Sequence, residues 1–473
     1  MKTLIGALYR SCGLFILISL PILMLVQGCT TSGYFQVSGT TPSAFRPSTA
    51  YNTKAEEFIV AYLREIPGSP GKPAEVRVKH FDINGKGLGM ELQPFGTSNH
   101  KVLGRPALAY SPKGDLFILA VPAVTTSGSG HEVLIRFLDS KGAAVGKQLS
   151  LFSDQTWTYY DGDGVGSLHV TYNSLINEFL VTVQRTVQGT YQKENGIWAQ
   201  RISKAIGKIG KPIQLLNTAT NGIDSHTIAY APVAPTTGGR YLFAYSGFVG
   251  GAELLDKNAK SIAGVTMNLG TPADGNTHPD AAFGKIDGKE RFLLVYSDED
   301  NCKPGLKSCK ALKDQWTGVW GAYIDPINPS TSNTPFPISK IWAHVDNRRT
   351  YKPRVDYHPG TKSFFVTWRE LPTLNKQNKE SRSHIRGNWI NYLVKDGLAN
   401  TTQVPTPPDN IVVSTATGSC QATGAMCVSK EDPDFPDTVA TATGAAVVWH
   451  QKSPPNVQIL SVVGRVIGTP KKP

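Results

Sequence analysis

The sequence predicts an all-β chain folded as a seven-bladed β-propeller with four antiparallel strands in each blade. Three observations support this prediction: the composition, a strand motif that recurs along the chain, and an N-terminal segment with the character of a missing strand. Glycine and proline contribute 46 and 32 of the 473 residues, and only 18% of the residues are charged. Such a turn-rich chain lacks the charged helix formers of helical bundles. Its 40% apolar content excludes disorder as the main state.

The strand motif is a short apolar run that usually begins and ends with an aromatic residue. Each run is bounded by Gly, Asp, Asn or Lys, which is typical of a buried β-strand. Seven copies occur, at 58–62, 117–121, 179–183, 241–245, 292–296, 364–368 and 445–449. A segment that recurs at intervals of this length predicts a repeat architecture with seven units.

Each unit has room for three further strands. The upstream strand usually opens with proline, at Pro47, Pro106, Pro279, Pro353 and Pro436. Most of these strands then reach an aromatic residue, at Tyr51, Tyr110, Tyr172, Tyr230, Phe283 and Tyr357. A third strand follows the motif, as at 132–137, 197–202 and 319–324, and a weaker fourth follows that, as at 147–151 and 212–216. Four strands in each of seven units are the pattern of a propeller.

Residues 34–38 supply the strand that closes the ring. The last unit has little chain left after its third strand, whereas Tyr34-Phe35-Gln36-Val37-Ser38 precedes the first unit and has the character of a fourth strand. Pairing this segment into the last blade leaves no free sheet edge. We therefore expect residues 34–473 to form a single domain.

The first 28 residues resemble a bacterial lipoprotein signal peptide. Lys2 and Arg10 precede an apolar run at 13–26, which is too short to span a membrane, and Gly28 stands directly before Cys29. The resemblance implies that Cys29 carries acyl chains such as palmitate and becomes the mature N-terminus, with residues 29–33 as a short tether. Thr30, in place of Asp, implies the outer membrane. An ordinary secretory signal with an incidental cysteine is the alternative.

The repeats themselves resemble a family found in exported bacterial proteins. That family has a Tyr-Leu-Val-Val-Trp-like strand, then Ile-x-Gly-Gln-Arg-Val-Asp-like residues and a glycine turn. The best matches here are Phe364-Phe365-Val366-Thr367-Trp368 and Ile197-Trp198-Ala199-Gln200-Arg201-Ile202. Its members are mostly uncharacterised, so the resemblance implies the architecture and no catalytic residue.

Four cysteines outside the signal form two pairs of identical spacing. Cys302 and Cys309 enclose six residues, as do Cys420 and Cys427. In an exported protein such pairs predict two local disulfides that close loops. Neither pair has the spacing of a zinc or haem site.

Long loops at 298–315, 371–386 and 406–436 are expected on one face of the ring, which we call the loop-rich face. Both cysteine pairs belong to this face, and long loops on a rigid scaffold often carry binding sites. Neutral drift in loop length is the alternative. The candidate ligand-binding residues are Tyr159, Tyr160, Asp161, Arg348, Arg349, Arg354 and Asp437. The formal charge of +12 and two lysine-rich loops favour an acidic glycan or an acidic partner protein. Export and the lack of a recognised module argue against nucleic acid.

The residues that open the innermost strands should converge on the ring axis. Leu168 and His226 stand where two units lack the opening proline, and the next position in each of the seven units holds Ser48, Ala107, His169, Thr227, Asp280, Arg354 and Asp437. With the neighbouring His226 and His278, His169 and Asp280 make a candidate site for a divalent metal or for acid–base chemistry. A solvated polar channel is the alternative.

These observations favour a lipid-anchored binding or assembly module of the bacterial envelope that requires no cofactor. A metal-dependent lyase or hydrolase acting on polysaccharides at the channel mouth is the alternative from a different class. A structural spacer within an envelope assembly is also compatible with the sequence, because the fold does not choose among these functions.

Overall fold

Each of the seven repeated apolar runs lies in the second strand of a four-stranded blade, and the seven blades form a β-propeller. The computed structural model describes residues 34–39, 42–66, 74–96, 101–125, 128, 130–153, 158–159, 168–186, 196–217, 223–233, 237–247, 250–265, 278–302, 315–329, 335–339, 342–343, 349–371, 384–390, 411–414, 434–452 and 460–468. The predicted signal peptide, Cys29 and residues 30–33 lie outside this set.

The N-terminal strand β1 (Tyr34–Gln36) belongs to the last blade. The first blade contains β2 (Ala44–Asn52), β3 (Glu57–Glu65) and β4 (Ala74–Asp82). Its fourth strand is short, and Leu92 exchanges both backbone hydrogen bonds with Val78 there. The second blade contains β5 (Ala107–Ser111), β6 (Leu116–Val124), β7 (His131–Leu138) and β8 (Ala144–Leu151). The third contains β9 (Thr158–Tyr159), β10 (Leu168–Asn173), β11 (Glu178–Thr186), β12 (Gly196–Ser203) and β13 (Gly207–Asn217).

The remaining blades repeat this order. The fourth contains β14 (Ile223–Ala231), β15 (Arg240–Gly247), β16 (Gly251–Leu255) and β17 (Ser261–Val265). The fifth contains β18 (Asp280–Ile286), β19 (Lys289–Cys302), β20 (Gln315–Ile324), β21 (Phe336–Pro337) and β22 (Trp342–Ala343). The sixth contains β23 (Arg349–His358), β24 (Ser363–Leu371), β25 (His384–Ile390) and β26 (Ile411–Val412). The seventh contains β27 (Asp434–Thr441), β28 (Gly444–Lys452) and β29 (Leu460–Gly468).

The innermost strands are β2, β5, β10, β14, β18, β23 and β27, and each contacts the innermost strands of the two neighbouring blades. The ring is therefore continuous around its axis. The core lies between blades, where the large aromatic residues of the second strands, such as Trp368 and Trp449, are fully buried. The predicted architecture is thus confirmed.

The N-terminal segment closes the ring as predicted. Tyr34, Phe35 and Gln36 pair with Arg465, Gly464 and Val463 of β29 in antiparallel register. The Phe35 ring then reaches the first blade, where its centroid lies 5.7 Å from that of Phe58 and 5.0 Å from that of Phe81. Tyr34 Oη donates a hydrogen bond to the Val413 carbonyl of the sixth blade, at 2.8 Å.

Proline marks a bulge at the start of several innermost strands. The pairing register shifts between Phe45 and Ser48 in β2 and between Tyr351 and Arg354 in β23. Proline has no N–H for the strand ladder, so it is tolerated where pairing is interrupted. Lys352, directly before Pro353, has a φ of 56°, in the left-handed region. The bulge changes the direction of the strand immediately before the residue that reaches the axis.

The predicted loop at 298–315 is shorter than expected. Asp298 pairs with Gly318, and Cys302 pairs with Gln315, after a register shift between Asp298 and Asn301. A β-bulge therefore lets the hairpin of β19 and β20 continue into the predicted loop. The predicted loop at 406–436 likewise contains a strand, β26 (Ile411–Val412), which pairs with β25 as the fourth strand of the sixth blade. Residues 303–314, 372–383 and 415–433 of the predicted loops lie outside the described residues. Among the described residues, no helix has the length and apolar character needed to cross a membrane.

Candidate axial binding site

The innermost strands enclose two connected cavities along the ring axis. The mouth cavity, of about 120 Å³, lies where these strands begin, on the loop-rich face. The funnel, of about 790 Å³, lies where the strands end and is bordered by their hairpin turns, on the opposite face, which we call the turn face. His169 and Asp280 lie on the walls of both cavities. Thr49, Leu108, Val170 and Thr438 also line both cavities, so the shared wall is part polar and part apolar.

Seven residues follow an opening proline or, in the third and fourth blades, the Leu168 and His226 that stand in its place. Six of them line the mouth cavity: Ser48, Ala107, His169, Asp280, Arg354 and Asp437. Thr227, the seventh, lines the funnel. The shared offset from the proline places these side chains at one level of the ring, because each follows the same turn into the innermost strand.

Asp437 is the centre of the charged cluster at the mouth. Its Oδ1 atom lies 2.6 Å from Arg105 Nη2 and 3.7 Å from Arg354 Nε. Its Oδ2 atom accepts a hydrogen bond from the backbone N–H of Thr49, at 2.6 Å. The side chains of Arg105, Arg354 and Asp437 are 9%, 6% and 13% exposed, so these charges are largely withdrawn from water. Two guanidinium groups thus share one carboxylate oxygen.

Sequence reasoning missed Arg105. Its Nε atom donates to the Pro47 carbonyl at 2.8 Å, which ties the second blade to the first. A sequence signal existed, because a basic residue directly precedes the opening proline at Arg46, at Arg105 and at Lys352. Only Arg105 of these three lines the mouth cavity.

Asp280 makes neutral hydrogen bonds and no close ion pair among the described residues. Its Oδ1 accepts from Thr227 Oγ1 at 3.0 Å, and its Oδ2 accepts from the backbone N–H of Val355 at 3.0 Å. Burial raises the pKa of Asp280, and the nearby charge of Arg354 partly opposes that effect. Asp437 is therefore the carboxylate in direct contact with the two arginines, whereas Asp280 acts on Arg354 through its charge alone.

Asp356 is a second buried carboxylate that sequence reasoning missed. Its Oδ2 accepts from the backbone N–H of Ala440 at 2.7 Å, and its Oδ1 accepts from that of Tyr357 at 2.8 Å. Burial raises the pKa of Asp356 to about 7, although the two backbone hydrogen bonds oppose the shift. Asp356 lines the funnel, not the mouth cavity.

The predicted histidines occupy different environments. The rings of His169 and His226 are 5.1 Å apart between centroids, and His226 Nε2 is 3.0 Å from Thr182 Oγ1. Burial lowers the pKa of His226 to about 3 and holds that of His169 well below its ordinary value. Both rings are therefore neutral at pH 7. His169 Nε2 has no hydrogen-bond partner among the described residues. His278 is buried just before β18 and is not on the wall of either cavity.

The four predicted metal ligands do not form one donor set in the described part of the chain. No group of three His, Cys, Asp or Glu side chains there has the geometry to hold a metal ion. His226 Nε2 is directed at Thr182, and both Asp280 oxygens already accept hydrogen bonds. The divalent metal at the axis remains a prediction.

The other predicted site residues lie at or beyond the limits of the described residues. Tyr159 lies in β9 and pairs with Arg185, and Arg349 is the first residue of β23. Tyr160, Asp161 and Arg348 lie outside the described residues. Of the cysteines in the two predicted disulfides, Cys302 ends β19, whereas Cys309, Cys420 and Cys427 lie outside. The disulfides and the lipidation of Cys29 remain predictions.

The mouth cavity has the chemistry of an anion site. Two arginines line this partly enclosed space, together with the carboxylates of Asp437, which contacts both of them, and Asp280, and a neutral histidine lies beside them. Burial and the neighbouring Arg105 lower the pKa of Arg354 to about 10, so Arg354 remains charged at pH 7. A planar guanidinium presents several N–H donors in a fork that matches a carboxylate. Guanidinium groups in a place poor in water attract an anionic group.

Neither a protein-family model nor a curated protein sequence matches this chain. Similar solved structures include a protein of unknown function from Dyadobacter fermentans, with 12% identity over 92% of this chain and 98% of that chain and a TM-score of 0.44. The Dos1 propeller has 10% identity over 92% of this chain and 94% of that chain, with a TM-score of 0.42. An α-L-arabinanase from Penicillium chrysogenum has 10% identity over 90% of this chain and 94% of that chain, with a TM-score of 0.40. These likenesses carry no information on ligand or reaction.

Proposed function

We propose that this chain is a binding module of the bacterial envelope, held to its membrane by lipid on Cys29, which recognises an acidic glycan at the mouth cavity. The carboxylate of a sugar acid enters between Arg105 and Arg354 on the loop-rich face. A cavity of about 120 Å³ has room for such a group but not for a complete sugar ring. The rest of the glycan then lies across the loop-rich face.

The observation that carries this proposal is the shared contact of Arg105 and Arg354 with one oxygen of Asp437. Buried arginines are costly unless anions and hydrogen bonds compensate them. Here Asp437 is the carboxylate in direct contact with both guanidinium groups, while Asp280, whose pKa is raised by burial, is the other acidic group on the cavity wall. A carboxylate from a ligand accepts hydrogen bonds from guanidinium donors that are already in place.

The charge of the whole chain supports the same ligand class. The formal net charge is +12, and the predicted loops at 298–315 and 371–386 are rich in lysine and arginine. A basic surface around a basic pocket raises the local concentration of a polyanion and speeds its association. An acidic glycan presents many carboxylates in a row, so one carboxylate can enter the mouth cavity while others contact the basic loops.

Isothermal titration of the mature protein with an oligogalacturonate tests this proposal, with a maltooligosaccharide of equal length as the neutral comparison. We expect the acidic oligomer to bind and Arg354→Gln to weaken binding about 10-fold or more, since a charge-assisted hydrogen bond contributes about 1.5–3 kcal/mol. Lys208→Gln is the matched control, because it removes one positive charge from an exposed position on the outermost strand β13. Its affinity should remain close to that of the wild type.

Two results would contradict the proposal. One is equal affinity of the wild type and folded Arg354→Gln for the acidic oligomer. The other is equal affinity of the wild type for the acidic and neutral oligomers. If no oligogalacturonate binds, but crosslinking captures an acidic envelope protein and Arg354→Gln abolishes that capture, then the recognised anion belongs to a protein and the glycan assignment is wrong.

A further inference from the structure

The funnel is the larger of the two axial cavities, and the mouth-site proposal makes no use of it. Its volume of about 790 Å³ falls within the range of about 300–1,000 Å³ that is usual for small-molecule sites. It is bordered by the hairpin turns of the turn face, opposite the mouth cavity. Such sites are lined mainly by apolar and aromatic side chains, with a few polar groups that orient the ligand.

Aromatic side chains recur around the funnel wall. Six blades place an aromatic side chain at the same position of the innermost strand, and all six line the funnel: Tyr51, Tyr110, Tyr172, Tyr230, Phe283 and Tyr357. Each of the last five packs on an aromatic residue of the second strand, with centroids 4.9–5.4 Å apart. These five rings are therefore held in place by the cores of their blades.

Hydrogen bonds at the rim fix several of these rings further. Tyr110 Oη donates to Asp115 Oδ1 at 2.6 Å, and Tyr172 Oη donates to Asn177 Oδ1 at 2.7 Å. Both acceptors occupy the same turn position, where φ is positive, and Asp and Asn tolerate that conformation better than most residues. With their hydroxyl groups engaged, these tyrosines contribute their rings to the funnel.

The aromatic wall is interrupted at the seventh blade. Ala440 stands at the position where the other six blades have an aromatic residue, and its backbone N–H binds Asp356. The neighbouring wall is polar, with Asp356 and His358 from the sixth blade and Thr441 from the seventh. His358 and Thr441 are each 2% exposed, and His358 Nε2 and Thr441 Oγ1 have no hydrogen-bond partner among the described residues.

We propose that the funnel is a second ligand site, which takes an uncharged sugar ring entering from the turn face. The C–H face of the sugar packs on the aromatic wall, and its hydroxyl groups bond to Asp356 and Thr441 in the sector beside Ala440. A sugar hydroxyl both donates and accepts a hydrogen bond, so it suits a carboxylate acceptor and a threonine hydroxyl together. This site does not depend on the anion site at the mouth cavity.

Charge and polarity on the funnel wall disfavour an anionic ligand and a purely apolar one. Asp280, Asp356 and Glu56 all line the funnel, so an anion meets carboxylates there and no arginine of the mouth pair. A purely apolar ligand leaves the buried polar atoms of His358 and Thr441 without partners, and unpaired buried groups cost free energy. An uncharged ligand with one apolar face and several hydroxyl groups meets both requirements.

Titration of the mature protein with maltotriose, cellotriose and chitotriose tests this inference. We expect at least one trisaccharide to bind with one-to-one stoichiometry. Thr441→Val keeps the shape of the side chain and removes its hydroxyl, and Asp356→Asn removes the carboxylate; each should weaken binding about 5-fold or more, as expected for loss of one hydrogen bond. Thr237→Val, at a turn away from the funnel, is the matched control and should bind as the wild type does.

Arg354→Gln separates this inference from the mouth-site proposal, because it should leave trisaccharide binding unchanged. Saturation-transfer NMR gives a readout that does not depend on any variant: irradiation of the aromatic protons should transfer magnetisation to the sugar ring protons. The inference is overturned if no trisaccharide binds at millimolar concentration, if folded Thr441→Val and Asp356→Asn both bind as the wild type does, or if the aromatic protons transfer no magnetisation to bound sugar.

Discussion

Asp437 in the seventh blade accepts a hydrogen bond from the backbone N–H of Thr49 in the first blade, at 2.6 Å. Asp280 makes the same kind of bond to Val355, from the fifth blade to the sixth, and Asp356 makes it to Ala440, from the sixth to the seventh. Three consecutive blade junctions are therefore joined by an aspartate on the innermost strand. These carboxylates hold the ring together and also give the axis its charge.

We expect Asp437→Asn to lower the free energy of unfolding by about 3 kcal/mol, because it leaves the largely buried Arg105 and Arg354 without a carboxylate. Asparagine retains an oxygen for the Thr49 N–H, so the loss measures the charge. Denaturant titration of the purified variant measures it.

Asp325→Asn is the control for this prediction. Asp325 pairs with Arg291 at 3.0 Å, but both side chains are more exposed, at 16% and 23%. The expected loss is less than about 1 kcal/mol, as for exposed ion pairs. Equal losses in the two variants would show that the axial pair has no special contribution to stability.

Gly464→Ala should destabilise the ring closure. A Cβ atom at Gly464 would lie 2.3 Å from the Phe35 ring, which must then leave its place between the last blade and the first. Gly468→Ala, on the same strand, is the control, since a Cβ atom there has no neighbouring atom within 4 Å. Thermal melts should show a lower midpoint for Gly464→Ala alone.

Replacing Phe35 provides the coupled measurement. Phe35→Ala should lower the free energy of unfolding by about 3 kcal/mol, because it truncates a packed aromatic residue. In the Phe35→Ala background, Gly464→Ala should lower the free energy of unfolding much less than it does in the wild type, because the ring that its Cβ atom would meet is absent. Additive losses in the double variant would mean that Phe35 and Gly464 are not in contact.

Asp356 should make the fold less stable as the pH rises from about 4 to about 7. Burial raises its pKa in the folded chain to about 7, from an ordinary value of 3.8. In this window the folded chain holds a proton that the unfolded chain has released, so rising pH favours unfolding. The contribution is complete below about pH 4 and is lost above about pH 7.

The measurement is the difference in unfolding free energy between the wild type and Asp356→Asn at several pH values. This difference should fall with pH by at most about 1.4 kcal/mol per pH unit, the value set by one proton. A difference that stays constant or rises between pH 4 and 7 would show that the folded-state pKa of Asp356 is not raised.

The axial metal site is tested by elemental analysis of the mature protein after dialysis without chelator. We expect less than one divalent ion per chain, since His226 and Asp280 already have hydrogen-bond partners. One ion per chain, lost on joint replacement of His169, His226 and His278, would contradict this expectation. It would instead favour the metal-dependent enzyme.

The architecture was predictable because it depends on short-range patterns. The motif at 58–62 and its six later copies require only alternating burial and turn residues, and the closing strand follows from counting strands. The sequence did not predict the residue-by-residue pairing of Tyr34 with Arg465 or the continuation of β19 past Asp298. They depend on bulges that no short pattern reveals.

The site was predictable only in part, because offset from a proline gives a level along the axis and not the direction of a side chain. This offset correctly placed Arg354 and Asp437 at the mouth cavity. It also assigned His226 to the candidate metal site, although the His226 ring is directed at Thr182. Arg105 and Asp356 were missed, since their partners belong to other blades and lie 58 and 84 residues away. Contacts of that separation become visible only when the ring is assembled.

The central claim is that Arg105 and Arg354 bind an anionic group at the mouth cavity. Its most direct test is a crystal structure of the mature protein with an oligogalacturonate. We predict a sugar carboxylate within hydrogen-bond distance of both guanidinium groups, on the loop-rich face. An oligomer bound elsewhere on the propeller, with the mouth cavity holding only water, would contradict the claim.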